Sequence, residues 1–191
     1  TMSYDYSENI LVQESAGNLL RDELGWDVRF AYNTEVLGKN GTFGRESYHE
    51  ILLLRYFREA LKKLNPWIND NQISEAQKVL KNRFSTSSLL QINFLAVKEM
   101  KIHGDLYRRR TDIVGFVNGI PLLFVELKKN TVDVQNAYDD NYTDYQDTIP
   151  HLFYYNAFLM LSNGTEAKVG TLGSKYEFFH EWKRLSEQEE G

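Results

Sequence analysis

The strongest constraint on the fold of this chain is a β-hairpin signal in its second half. Residues 107–117 and 122–127 are rich in branched and aromatic side chains, and Asn118-Gly119 between them is typical of a hairpin turn. The second segment is almost continuously apolar, which predicts a buried strand. Glu126 interrupts it, and Lys128 follows two positions later, so both side chains point to the same face. Burying this pair costs desolvation energy, so the two groups need partners or a purpose.

Asp112 lies on the first strand of this hairpin, and its position relative to Glu126 depends on the turn. With a strict two-residue turn, Asp112 falls opposite Val125, and its side chain points to the other face from Glu126. An odd offset repairs this, for example a type I turn with Gly119 in the left-handed conformation as a bulge. We therefore predict a bulge or a three-residue loop at Asn118-Gly119, because a flat two-residue hairpin would separate the carboxylates.

Two carboxylates and a lysine on one face are a combination that phosphodiester hydrolysis can use. Carboxylates hold hard divalent cations, which activate the attacking water and neutralise charge that grows on the phosphate. A neighbouring lysine stabilises that charge or orients the water. Asp112, Glu126 and Lys128 are therefore candidate catalytic residues. Carboxylates paired with lysine are also common in surface ladders of strands, and the spacing alone does not distinguish the two interpretations.

The remaining pattern indicates an α/β sandwich around a mixed sheet. Further strands are predicted at residues 26–32, 157–161 and 167–172. Helices are predicted at residues 7–24, 46–64, 72–81, 88–100, 132–145 and 176–185. No linker or repeat interrupts these elements, so we expect residues 1–191 to form a single domain.

Composition excludes several kinds of site and limits the partners. The 191 residues contain no cysteine, which excludes disulfides and thiolate metal sites and fits a reducing cytoplasm. No apolar run is long enough to span a membrane, and no phosphate-binding loop for ATP occurs. The net charge of −5 is unusual for a DNA-binding domain, since phosphate neutralisation supplies much of the affinity. We therefore expect this chain to bind DNA weakly by itself.

The hairpin and the segments that follow it resemble a known family. The stretch TDIVGF at residues 111–116, followed by PLLFVELKK at 121–129, is similar to the nuclease domain of the motor (R) subunit of type I restriction enzymes. These domains belong to the PD-(D/E)xK nuclease superfamily. The resemblance covers most of the chain. It continues through residues 136–141, Tyr145, 147–150, 155–157 and 161–164, and it extends to 181–183 and, more loosely, to 61–66. It implies a restriction-endonuclease-like three-layer sandwich, with a mixed central sheet flanked by helices.

The resemblance also implies roles for individual residues. Asp112 and Glu126 match the two ligands of Mg²⁺, and Lys128 matches the catalytic lysine, although Thr111 stands where the motif has proline. Related nucleases often place a glutamate on an early helix near the metal. Glu50 is the candidate here, and a capping or solvent-facing role is the alternative interpretation.

A second family motif, Gln-x-x-x-Tyr, is associated with DNA handling and with coupling to the motor. Asn141 and Tyr145 match it, and their spacing places both on one helical face. Asparagine keeps the amide of glutamine but has a shorter reach. The alternative is that both residues are polar members of a helix surface.

The partners that the resemblance implies lie mostly outside this chain. It implies that the intact polypeptide continues into ATP-driven translocase domains, so that these 191 residues are a fragment, and Thr1 ahead of Met2 is interpreted as a cloning remnant. It further implies assembly with methylation (M) and specificity (S) subunits and remote cleavage of unmethylated, foreign double-stranded DNA. A non-cleaving module for DNA clamping or subunit docking, and a stand-alone nuclease from another branch of the superfamily, are the alternatives.

Overall fold

The computed structural model describes residues 3–81 and 93–182, with the side chains of 11–80 and 93–182. The helices are α1 Ser3–Asn18, continued by a π-helical turn Leu19–Glu23, then α2 Leu54–Leu64, α3 Asp70–Lys81 and α4 Thr143–Thr148, which follows a π-helical turn Ala137–Tyr142. The strands are β1 Asp27–Phe30, β2 Phe94–Lys98, β3 Lys101–His103, β4 Arg108–Arg110, β5 Ile113–Val117, β6 Ile120–Leu127, β7 Phe158–Ser162, β8 Ala167–Gly170 and β9 His180–Glu181. Short 3-10 turns lie at Pro150–Phe153 and Tyr176–Phe178.

Seven of these strands form one mixed sheet in the order β1-β2-β5-β6-β7-β8-β9. The pairs β1–β2 and β6–β7 are parallel and the others are antiparallel, while β3 and β4 form a separate two-stranded ribbon. This confirms the predicted α/β fold with a mixed central sheet. In the part of the chain that the structure describes, no helix has the length and apolar character needed to cross a membrane.

The sheet buries a core on each face, because side chains alternate along each strand. The larger core contains Val97, Val114, Phe124 and Leu159 from the strands. The α4 region, which we define as residues 137–149, packs against them through Tyr142, Tyr145 and Ile149. The smaller core contains Ala96, Ile113, Leu123 and Val125, together with Leu20 from the turn after α1. The two helical segments therefore cover opposite faces, as in a restriction-endonuclease-like sandwich.

The turn between β5 and β6 has two residues, so the predicted irregularity at this position is wrong. Val117 pairs with Ile120, and the residues between them, Asn118 (φ 52°) and Gly119 (φ 82°), both have left-handed backbones. Such turns match the twist of the flanking strands. Gly119 is required for a second reason, because a Cβ there would lie 2.4 Å from the carbonyl oxygen of Leu53.

The odd offset itself is confirmed, but it arises from a bulge inside β6. The register shifts between Gly115 and Phe116, and Gly115 pairs with Leu123, which leaves Leu122 as the extra residue. The carbonyl of Leu122 accepts a hydrogen bond from Ala157 N (2.8 Å) at the start of β7. Proline at 121 has no N–H to donate to the ladder, so a bulge beside it costs little pairing.

Several predicted helices differ from the observed elements. The prediction of a helix over 88–100 is wrong for the described residues, because Phe94–Lys98 forms β2. This strand is largely buried between β1 and β5. Residues 88–92 lie outside the described ranges. The apolar run is buried on both faces, and periodicity does not distinguish such a strand from a helix. The segment predicted as a final helix contains a 3-10 turn and the short strand β9, and residues 183–185 also lie outside those ranges.

Two other predicted elements have different boundaries in the structure because of tertiary packing. The helix predicted from residue 46 begins at Leu54, because the preceding segment is fixed by the buried guanidinium of Arg45, which donates to the carbonyl of Glu50 (3.1 Å). The strand predicted over 107–117 is two strands, β4 and β5. Between them Thr111 donates its N–H to Met100 O (3.1 Å), and β4 pairs with β3 instead of with the main sheet.

Candidate active site

Five of the six predicted site residues line one cleft, with a volume of about 410 Å³. These five are Asp112, Glu126, Lys128, Asn141 and Tyr145. The bulge at Leu122 explains why the two carboxylates meet. Ile113 pairs with Val125, so the next position along the ladder brings Asp112 level with Glu126.

Asp112 lies just before β5, and two hydrogen bonds fix its carboxylate. Oδ2 accepts the backbone N–H of Leu127 (2.8 Å), and Oδ1 accepts from Nε2 of Gln13 on α1 (2.9 Å). Burial raises the pKa of Asp112 to about 6, although both hydrogen bonds act in the opposite direction. The carboxylate is thus held in one orientation at a substantial desolvation cost.

Glu126 is 3% exposed, and its Oε2 is buried without a hydrogen-bond partner among the described residues. Burial raises the pKa of Glu126 well above its ordinary value, the charge of Asp112 raises it further, and Lys128 opposes both effects. A buried carboxylate oxygen without a donor is costly, and few such atoms occur in native proteins. The arrangement therefore calls for a positive group in the cleft.

Lys128 follows directly after β6, and its backbone N–H donates to Ser162 O (2.8 Å), which extends the pairing with β7. Its ammonium group donates to the amide oxygen of Asn141 and lies 3.9 Å from Oδ2 of Asp140. The lysine is only partly exposed, with 21% of its side chain accessible. The amide of Asn141 thus holds the ammonium group at the side of the cleft.

The α4 region closes the cleft opposite the sheet. Tyr145 is buried and donates its hydroxyl hydrogen to Arg110 O (3.0 Å), and burial raises the pKa of that hydroxyl. The preceding residue, Asp144, accepts two hydrogen bonds from the guanidinium of Arg109 (2.6 and 2.9 Å). These contacts fasten α4 to β4, so that Asn141 and Tyr145 face the same cleft as predicted from their spacing.

Glu50 is not brought to this cleft. Its segment is irregular, and its Oε2 accepts the backbone N–H of Glu46 (3.0 Å) within that segment, ahead of the start of α2 at Leu54. It lines a separate, smaller cavity of about 210 Å³ together with the stacked rings of His49 and His151.

Comparison with known proteins identifies the family. Residues 5–178 match the family described as Type I restriction enzyme R protein N terminus. The chain belongs to this family. It is 27% identical to the Type I restriction enzyme HindI endonuclease subunit of Haemophilus influenzae over 206 aligned positions, which cover 86% of this chain and 19% of that protein. It is 24% identical to the SauCOLORF180P endonuclease subunit of Staphylococcus aureus (strain COL), with coverage of 87% and 19%. The chain therefore spans about a fifth of the length of these relatives.

Restriction endonucleases generally use a divalent metal ion, and the residues of the cleft fit one. Both carboxylates line the cleft, and that of Glu126 has a buried oxygen without a donor among the described residues. No group of three or more His, Asp or Glu side chains suited to a metal was found within residues 3–81 and 93–182. Two carboxylates nevertheless suffice for Mg²⁺, which usually keeps several waters and takes further oxygens from a substrate phosphate.

Sequence reasoning missed Gln13 and left the role of Arg110 open. Gln13 lies on α1, and nothing in the helix pattern distinguishes it from other polar positions. Its contact with Asp112 joins residues 99 positions apart, and only the packing of α1 on the sheet creates it. For the run Arg108-Arg109-Arg110 the sequence left two interpretations equally open, a path for phosphates and a strand end next to solvent, and the structure places Arg110 among the residues that line the cleft.

Proposed function

We propose that this chain is the metal-dependent endonuclease domain of a type I restriction enzyme. The observation that carries the proposal is the presence of Asp112 and Glu126 together in a polar cleft, with Lys128 beside them and a buried oxygen of Glu126 lacking a donor among the described residues. Membership of the R-protein family and the endonuclease names of its relatives support the same function. We further propose that residues 1–191 act as one domain of a cytoplasmic enzyme.

The proposed chemistry assigns a separate task to each side chain. Asp112 and Glu126 hold Mg²⁺, which when bound supplies positive charge to polarise the phosphodiester and acidify the attacking water. The N–H of Leu127 and the amide of Gln13 orient Asp112, so that the carboxylate does not have to rearrange when DNA arrives. The ammonium group of Lys128 stabilises negative charge on the phosphate and positions the water.

Asn141 and Tyr145 connect this chemistry to the rest of the enzyme in our proposal. Asn141 holds the ammonium group of Lys128, and Tyr145 holds the backbone of β4 at the rim of the cleft. A displacement of the α4 region would therefore move the catalytic lysine. This is a route by which DNA handling or motor coupling could control cleavage.

The substrate and partners are proposals for the whole enzyme. We propose that it cleaves unmethylated foreign double-stranded DNA, delivered by ATP-driven translocase domains, and that methylation and specificity subunits choose the target. This chain covers about a fifth of the length of its relatives, which supports the proposal of a larger enzyme. The net charge of −5 agrees with delivery by other domains, since the chain as a whole offers little attraction for phosphates.

The test uses the reconstituted enzyme with Asp112→Ala, Glu126→Ala or Lys128→Ala. Each variant should lose DNA cleavage while ATP hydrolysis stays at the unmodified level, because the motor does not use these side chains. Asp147→Ala is the matched control, since it removes an exposed carboxylate from α4 outside the cleft, and it should cleave normally. Undiminished cleavage in all three variants would refute the assignment and favour a clamping or docking module.

A further inference from the structure

Arg110 is the last residue of β4 and lines the cleft immediately beside Asp112. Its backbone is fixed on both sides, because it pairs with Lys101 across the ribbon and its carbonyl accepts the hydroxyl hydrogen of Tyr145. Its side chain is 40% exposed. The backbone of Arg110 is thus fixed at the wall of the cleft, while its side chain stays partly open to solvent.

Two neighbouring side chains hold the head group of Arg110. Its guanidinium carbon lies 4.3 Å from the centroid of the Tyr32 ring, within the range of a cation–π contact. Oε2 of Glu99 lies 3.6 Å from Nη1. That distance is an ion pair and is too long for a hydrogen bond. Both contacts approach the guanidinium without using its N–H donors.

Two features of Glu99 are energetically unfavourable, and its ion pair with Arg110 must offset them. It is 5% exposed with a buried Oε2 that accepts no hydrogen bond in the described chain, and its φ is 52°, which is rare for a residue with a side chain. Residues kept in such conformations cluster at functional sites, where the surroundings enforce them. Here the backbone N–H of Glu99 donates to Asp112 O (2.8 Å), so the strained residue lies next to the first catalytic carboxylate.

The charge of the cleft explains what Arg110 can do there. Asp112 and Glu126 repel an incoming phosphate, and Lys128 is already engaged by Asn141. The guanidinium of Arg110 makes no hydrogen bond to any described residue, so its planar set of donors is available to a ligand. Arginine matches two oxygens of a phosphate at once, which a lysine does not.

We propose that Arg110 binds a backbone phosphate of the DNA next to the scissile bond, and that Glu99 and Tyr32 hold its guanidinium in position. The inference rests on the proposed nuclease function of the same cleft. It adds a substrate-binding residue that acts on DNA affinity, separate from the residues that act on bond cleavage.

The main experiment measures binding of a short DNA duplex to the chain at several low salt concentrations, without divalent ions. Arg110→Ala should weaken binding about tenfold, the loss expected for one charge-assisted contact. The slope of log K against log[salt] should fall by about 0.9, the value for one phosphate. Arg108→Ala is the matched control, because it removes the same charge from the same exposed face of β4 outside the cleft. It should change affinity less than twofold.

A stability measurement separates phosphate binding from a purely structural role. Arg110→Ala alone should lower the thermal midpoint, because it leaves the buried carboxylate of Glu99 unpaired. The double variant Glu99→Gln/Arg110→Ala should regain stability while its DNA binding stays weak. Recovery of DNA binding in the double variant would overturn the proposal.

Three other results would also overturn it: equal losses in Arg108→Ala and Arg110→Ala, no loss in Arg110→Ala, or no binding by the unmodified chain at the lowest salt. The readout is independent of cleavage. Asp112→Ala should bind the duplex at least as well as the unmodified chain, because it removes a repulsive charge. Failure of the nuclease assignment would appear only as persistent cleavage by the Asp112, Glu126 and Lys128 variants.

Discussion

Replacing Asp112 by asparagine should stabilise the metal-free protein while it removes catalysis. The carboxylate of Asp112 is buried beside Glu126, and its pKa is raised to about 6 from an ordinary value of 3.8. Asparagine has the same shape and carries no charge. Its Oδ1 can accept the N–H of Leu127, and its amide can donate to Gln13 once the Gln13 amide rotates. The substitution therefore keeps the packing and removes the desolvated charge.

The size of the effect follows from the pKa of Asp112. A rise from 3.8 to about 6 corresponds to about 3 kcal/mol, because each tenfold change in proton affinity is about 1.4 kcal/mol. The folded protein keeps the proton of Asp112 where the unfolded chain has lost it, so the free energy of unfolding falls between about pH 4 and pH 6 and then levels off. The charge of Asp112 also raises the pKa of Glu126, and the substitution relieves that repulsion too.

The assay is denaturant unfolding of the chain in a chelating buffer at pH 5 and pH 8. At pH 8, Asp112→Asn should be about 3 kcal/mol more stable than the unmodified chain, or about 6–12 °C higher in Tm for a protein of this size. The gain should be smaller at pH 5. Asp147→Asn, at an exposed position on α4, should stay within about 0.5 kcal/mol at both pH values. A variant that is no more stable at pH 8, or whose gain does not change with pH, would refute this electrostatic account.

Three further predictions follow from other contacts. Added Mg²⁺ should raise the Tm of the unmodified chain and leave Asp112→Asn nearly unchanged, because only the native site binds the ion; equal shifts in thermal scans would contradict a site at this carboxylate. Glu35→Ala should cost about 3–5 kcal/mol in urea unfolding, because it leaves the buried guanidinium of Arg45 without its partner at 2.5 Å; a cost below about 1 kcal/mol would count against this. Gly115→Ala should cost about 1–3 kcal/mol, since the new Cβ would lie 2.8 Å from the Trp26 ring, and a neutral result would show that the ring moves freely.

The hairpin of β5 and β6 shows which features of the site could be predicted from the sequence and which could not. The side-chain alternation of a strand required an odd offset between Asp112 and Glu126, and the offset exists. Its place was wrong, because Asn118-Gly119 suits a regular two-residue turn and the bulge forms beside Pro121, where no N–H is available for the ladder. The need for an odd offset follows from the side-chain alternation of the two strands, and the sequence alone shows it. The position at which it is met depends on the contact of Leu122 with the start of β7.

The errors in the helices have a common physical origin. Residues 94–98 are buried on both faces between β1 and β5, so their apolar character no longer carries a period that separates strand from helix. Glu50 was placed on a helix that begins later in the chain, because a buried ion pair between Arg45 and Glu35 fixes the preceding segment in an irregular form.

The sequence by itself determined the α/β class, the hairpin with its carboxylates and lysine, and the helical pair Asn141 and Tyr145. The class and the hairpin depend on residue types at short spacing, whereas the pair Asn141 and Tyr145 was singled out by its resemblance to the family motif. Only the tertiary structure decided that Gln13 orients Asp112 and that a strained Glu99 holds Arg110 at the rim of the cleft. Such contacts join residues that are distant along the chain or lie in different parts of the fold, and they exist only when burial of the two cores brings those parts together.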